Sequence, residues 1–201
     1  MTIATYSELV TEVEQYLNRT DYTVRIPTFI RLVEAKLNRL LNDPSMEVRA
    51  TITASSQYTP LPSDFNRLIG VFTGNNFELT ETSASRITSL DQTNTGGDPR
   101  EYALVNNALT FFPVNTGAVI TILYIRNIPG LSVSNPTNWL LDRAPGLYLF
   151  GVLMQAAVFG WNDERVPGIK ALFDEALNEL MIDSQNRRLG SAPIGPRMGR
   201  T

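Results

Sequence analysis

The chain has 201 residues, is 43% hydrophobic and 18% charged, and contains neither cysteine nor histidine. That composition suits a globular protein with a sizeable core. It excludes disulfides, thiolate nucleophiles and sulfur-based zinc sites, and it removes the commonest general base and metal ligand. The net charge of −3 is uneven: the last acid is Asp183, so residues 187–201 carry +4 and residues 1–186 carry −7. Any chemistry would rest on carboxylates, hydroxyls and amines, for which glycoside hydrolysis by two acids is the precedent.

In chain order, Thr5 followed by Glu8 reads as a capping box opening a helix over 6–18, with Leu9, Val10, Val13, Tyr16 and Leu17 on one stripe. These first residues have early acids and no continuous apolar core, so they do not read as a secretory signal. A longer helix follows with Pro27 in its first turn and an apolar face of Ile26, Phe29, Ile30, Val33, Leu37, Leu40 and Leu41. Asn42-Asp43-Pro44 ends it, because the residue before proline is driven out of the helical region. The period then changes to two: Met46, Val48, Ala50 and Ile52 alternate with polar residues, as in a half-buried strand.

Leu61-Pro62-Ser63-Asp64-Phe65 predicts a turn leading into a strand at 68–72, and Gly74-Asn75-Asn76 a tight turn before 77–80. A short helix is expected over 83–90 and an exposed loop over 91–99. Residues 102–105, Asn106-Asn107 and 108–112 carry the strongest hairpin signal in the chain. Residues 118–125 read as a buried strand. Helical periodicity returns after Pro145, with Leu147, Phe150, Leu153, Met154, Ala157, Val158 and Trp161. The last helix begins at Val166-Pro167, has the stripe Ile169, Leu172, Phe173, Ala176, Leu177, Leu180 and Met181, and ends at Gly190. The tail to Thr201 is too rich in Gly and Pro to fold alone. No segment is apolar for long enough to span a bilayer.

The expected fold class is α+β: a helical bundle formed from N- and C-terminal helices, with an inserted small antiparallel β domain and an extended C-terminal tail. The expected boundaries are 1–45 and 131–189 for the bundle helices, 46–130 for the β domain and 190–201 for the docking tail.

With these segments in place, four stretches carry a likeness: residues 22–41 (YTVRIPTFIRLVEAKLNRLL), LPSDF at 61–65, residues 98–113 (DPREYALVNNALTFFP) with LYIRNIPGLS at 123–132, and residues 137–166 (TNWLLDRAPGLYLFGVLMQAAVFGWNDERV). In order and spacing they resemble the head-to-tail adaptor (neck, or connector) proteins of tailed bacteriophages. The resemblance implies a homo-oligomeric ring, typically dodecameric, docked on the portal protein in the virion neck. It further implies contact with a downstream tail protein (nozzle or tail tube), and a channel through which DNA passes without sequence-specific binding. The protein would be made in the host cytoplasm, with no membrane partner.

Among candidate sites, Asp64 is the most enzyme-like acid, but a turn-closing hydrogen bond is its expected role. Asp142-Arg143 and Asp163-Glu164-Arg165 flank helix ends and read as caps and ion pairs. Glu175 and Glu179, one turn apart, read as a solvated face rather than a metal site. Trp139 belongs to an apolar cluster that closes the bundle or, alternatively, anchors an interface. The basic end of the chain, with Arg187, Arg188, Pro193, Ile194, Pro196, Arg197, Met198 and Arg200, suggests an extended segment docking on a neighbouring subunit or the portal. No phosphate loop, dinucleotide fingerprint, zinc motif or calcium loop is present, and no cofactor is expected. The readings from other classes are a virion-associated, carboxylate-based cell-wall hydrolase and a DNA-binding packaging accessory. The latter would need a steep salt dependence that an acidic protein of pI near 5.1 does not suggest.

Overall fold

The computed structural model describes residues 3–18, 22–54, 58–90, 96–160 and 164–189. Two compact units are present, one comprising 1–45 and 128–201 and the other 46–127.

The first unit is helical. Helix α1 (Tyr6–Leu17) opens on the Thr5/Glu8 capping box, with both reciprocal bonds made, and closes on Asn18 in the left-handed conformation. Helix α2 (Ile26–Leu40) has a proline in its first turn and buries Ile26, Phe29, Ile30, Val33 and Leu37. After the chain returns from the second unit, α4 (Trp139–Arg143) is capped by the Asn138 side chain, which accepts from the Leu141 N–H. Helix α5 (Pro145–Phe159) follows at once, and α6 (Val166–Leu189) completes the unit.

Helix α5 is the axis of this unit: α1, α2, α4 and α6 all pack on it. Its sequence is apolar on nearly every side, as a helix enclosed by neighbours requires, and Leu147, Tyr148, Val152, Leu153 and Ala156 are buried. Gly151 lies where α2 and α6 approach it together. A Cβ there would sit 2.8 Å from Val33 Cγ1 and 3.3 Å from Phe173 Cε2. Helix α6 is covered on one side only. Phe173, Leu180 and Ser184 are buried, but Leu172 and Met181, expected on its buried stripe, are 45% and 43% exposed. Trp161 and Asp163 lie outside the described residues.

The second unit holds, among its described residues, seven strands and one short helix. Strands β1 (Glu47–Thr53), β7 (Val119–Arg126) and β3 (Phe65–Thr73) form an antiparallel sheet in the order β1-β7-β3. Strands β2 (Thr59–Pro60), β6 (Ala108–Phe112), β5 (Glu101–Val105) and β4 (Thr80–Glu81) form the other, ordered β2-β6-β5-β4. Helix α3 (Ala84–Ser89) joins β5 through the Arg86–Glu101 ion pair at 2.8 Å. Residues of both sheets share one core that includes Val71, Leu109, Phe111, Ile120, Ile122 and Tyr124.

The α+β class holds, and the β unit differs from a single antiparallel sheet in two respects. There are two sheets, and β4 pairs with β5 in parallel. Strands of two residues have no alternation to read, so neither β2 nor β4 announces itself. The β5–β6 hairpin matches its signal, with Asn106 and Asn107 at φ 46° and 60°, the pair of left-handed residues a two-residue loop demands. Of the expected 91–99 loop, residues 91–95 lie outside the described part.

Candidate functional site

The most heavily engaged polar group in the helical unit is Asp43, just past the end of α2 and fully buried. The Arg143 guanidinium donates to both its carboxylate oxygens at 3.0 and 3.1 Å. Arg187 donates to Oδ1 at 3.4 Å, the Ser45 N–H to the same oxygen at 2.7 Å, and the Ser184 hydroxyl to Oδ2. Arg143 also pairs with Asp183, while Arg188 donates to the Asn42 carbonyl at 3.1 Å and its side-chain oxygen at 3.0 Å. One carboxylate thus ties together the chain after α2, the end of α4 and the last turns of α6. Burial raises the Asp43 carboxyl, but hydrogen bonds from Ser184 and Ser45 and the Arg143 charge outweigh it, so the net shift is downward. A carboxylate offers about four lone-pair directions. Those of Asp43 are occupied by donors of its own fold, which favours the ionised form.

A second buried carboxylate, Glu34, secures the segment that leads into α4. It accepts from the Leu131 N–H at 2.7 Å and the Tyr148 hydroxyl at 3.2 Å. Asn138 donates to the Tyr148 oxygen and to the Pro129 carbonyl, both at 2.7 Å. Nearby, the Ile128 N–H donates to Asn38 Oδ1 at 2.7 Å. Burial pushes the Glu34 carboxyl above its ordinary value, and the Leu131 and Tyr148 bonds recover only part of that shift. Tyr148 is driven upward by burial and by the adjacent Glu34 charge.

The third feature is an apolar groove of about 460 Å³ where the end of α1, the last turns of α5 and the first turns of α6 meet. Its walls include Tyr16, Tyr22, Phe150, Ala157 and Leu172, with Glu164 at its edge. Tyr16 is 58% exposed, a large apolar surface left without cover among the described residues.

The sequence-derived candidates fall in different places. Arg187 and Arg188 lie within α6 and bind the 42–45 segment of their own chain. The charge boundary, which groups them with the tail, does not coincide with the helix end. Pro193, Ile194, Pro196, Arg197, Met198 and Arg200 lie outside the described residues. Trp139 opens α4 half-buried, with the Arg143 guanidinium 5.7 Å from its ring centroid. Asp64 accepts from the Tyr124 hydroxyl at 2.9 Å, and burial together with the Asp64 bond and charge pushes that hydroxyl up to about 12. Glu175 and Glu179 are exposed on α6. Among the described residues no group of three or more Asp or Glu side chains is placed to hold a metal ion, and no helix is long and apolar enough to cross a membrane.

Neither Asp43 nor the groove is legible in the sequence. Asp43 has the local signature of a helix terminator, and its partners Arg143 and Arg187 are 100 and 144 residues away with nothing local to mark them. The groove does have a faint signal, since Leu172 extends the apolar pattern of α6 beyond what one neighbour can cover.

Two buried carboxylates tie the helices together, and the fold is of the α+β class. The sequence matches the family described as SU10 adaptor protein over residues 4–197, so the chain belongs to that family of bacteriophage adaptors. No curated protein matches it.

Proposed function

We propose that this chain is a head-to-tail adaptor which forms a dodecameric ring beneath the portal, in the virion neck. The ring extends the DNA channel and offers the platform on which the tail assembles. The observation that carries this reading is the family match across residues 4–197. The role is mechanical rather than catalytic. In support, the chain lacks histidine and cysteine, and its buried Asp43 is saturated by donors from its own fold. The −7 carried by residues 1–186 suits a conduit, because an acidic bore repels the DNA backbone and lets it slide. The segment beyond Leu189, with Pro193, Ile194, Pro196, Arg197, Met198 and Arg200, supplies a docking strand, and Trp139 a further contact.

The test is electron microscopy of the purified chain mixed with portal protein. An added ring of density beneath the portal is expected, and a portal that stays bare overturns the proposal. A chain truncated after Leu189 should remain folded yet fail to join the portal.

A further inference from the structure

The groove between α1, α5 and α6 is mainly apolar and walled in part by aromatic rings. The chemistry of the tail and the length of α6 both bear on what could occupy it.

The tail sequence after Gly190 is SAPIGPRMGRT. Pro193 and Pro196 are three residues apart, and an extended polyproline-type segment has three residues per turn, so both prolines present the same face. Such segments dock in grooves walled by aromatic rings, where the fixed proline backbone limits the entropy lost on binding. Tyr16, Tyr22 and Phe150 supply those walls. Arg197 follows the second proline, and residues 190–201 hold two arginines and no acid. Helix α1 contributes Tyr16 and Leu17 to the groove, so its lining adds no positive charge from that side. Glu164 stands at the groove edge, although Arg165 beside it offsets part of its charge.

The length of α6 decides which copy is bound. The groove uses the first turns of α6, at Gly168, Ile169 and Leu172, whereas the tail departs from the last turn at Leu189. At 1.5 Å per residue, Leu172 lies about 25 Å from Leu189 along the axis and Ile169 about 30 Å. Ile194 is five residues past Leu189 and reaches at most about 18 Å when fully extended. Pro196, seven residues past Leu189, reaches at most about 25 Å and so only just to Leu172, while Pro193 at about 14 Å falls well short, so a segment holding both prolines cannot lie in the groove of its own chain. A tail at one end of a helix and its receptor at the other form a head-to-tail contact, which generates rings when the rotation closes.

We infer that residues 193–197 of each subunit lie in the α1–α5–α6 groove of the next subunit around the ring. This rests on the ring proposed above, which it deepens by assigning the tail a receptor.

The absence of cysteine allows a clean test. Full-length chains carrying Ile194→Cys are mixed with full-length chains carrying Leu172→Cys, assembled on portal protein and oxidised. A disulfide-linked pair of different chains is expected, and none when the second chain instead carries Asn178→Cys, at an exposed position of α6 outside the groove. Gly168→Leu supplies the second arm. Nothing lies within 4 Å of a Cβ at Gly168, so a leucine there is tolerated by the fold while it fills the groove. Added to the Leu172→Cys chain, it should make that chain unfold no more readily but abolish the disulfide between positions 194 and 172. Rings that form without the link, or a link found only within single chains, overturn the groove assignment and leave the ring standing. Failure to form rings at all overturns both.

Discussion

Asp43 shows how much of this fold depends on single charges. Removing it leaves Asp183 as the acid partner of Arg143 and takes from Arg187, the Ser45 N–H and the Ser184 hydroxyl their shared acceptor. Breaking a fully buried pair costs about 3–5 kcal/mol, and the partial exposure of both arginines places this loss toward the lower end of that range. Asp43→Ala should therefore lower the denaturant midpoint sharply, with little change in the slope. Glu34 behaves oppositely with pH. Its folded-state value is raised, so its contribution is fully present below the unfolded value of about 4.3 and is lost as pH rises through the folded value. Asp43 is depressed, so its contribution is present above about 3.9 and disappears only as pH falls through its lower folded value. Of these two carboxylates, Glu34 is the one that protonates above its unfolded value. Its contribution should therefore raise the melting temperature as pH falls toward about 4.3, and Glu34→Gln, which keeps the acceptor for Leu131 but cannot ionise, should remove that contribution. Neither role is legible in the sequence, because each carboxylate meets donors far along the chain: Arg143 for Asp43, Leu131 and Tyr148 for Glu34.

Among the elements, those with local grammar are readable. The Thr5/Glu8 box, Pro27 in the first turn of α2 and the Asn106-Asn107 turn each specify their own geometry within a few residues. What surrounds an element is not readable, and the glycines of α5 and α6 show why. Gly151 and Gly168 look alike in sequence, yet one is pressed by Val33 and Phe173 and the other faces open space. Ala in place of Gly within a helix gains about 1 kcal/mol, whereas overpacking a tight contact costs about 1–3 kcal/mol. Gly151→Ala should accordingly destabilise by about 1–2 kcal/mol in urea unfolding, while Gly168→Ala should stabilise by up to about 1 kcal/mol. The end of α6 offers a related comparison. Deleting residues 190–201 should leave the melting temperature unchanged, but deleting 187–201 should lower it, because Arg187 and Arg188 hold the segment after α2.

At the scale of the whole molecule, the α+β class is visible in the change of hydrophobic period near Met46 and its return after Pro145. The pairing of strands is not, since Thr59–Pro60 and Thr80–Glu81 join their sheet through two residues each. The helical unit is discontinuous in sequence, and both of its internal ends are tied near the same end of α2. The Ser45 N–H is held by Asp43 and the Ile128 N–H by Asn38. Whatever lies between those two anchors can change in length or architecture without loosening the bundle, because each junction is clamped before the chain leaves and as soon as it comes back. A short flexible bridge from Ser45 to Ile128 should give a miniature protein with a helical circular-dichroism spectrum. The same anchors make this bundle a chassis onto which a lineage can graft a different β module without redesigning the helices.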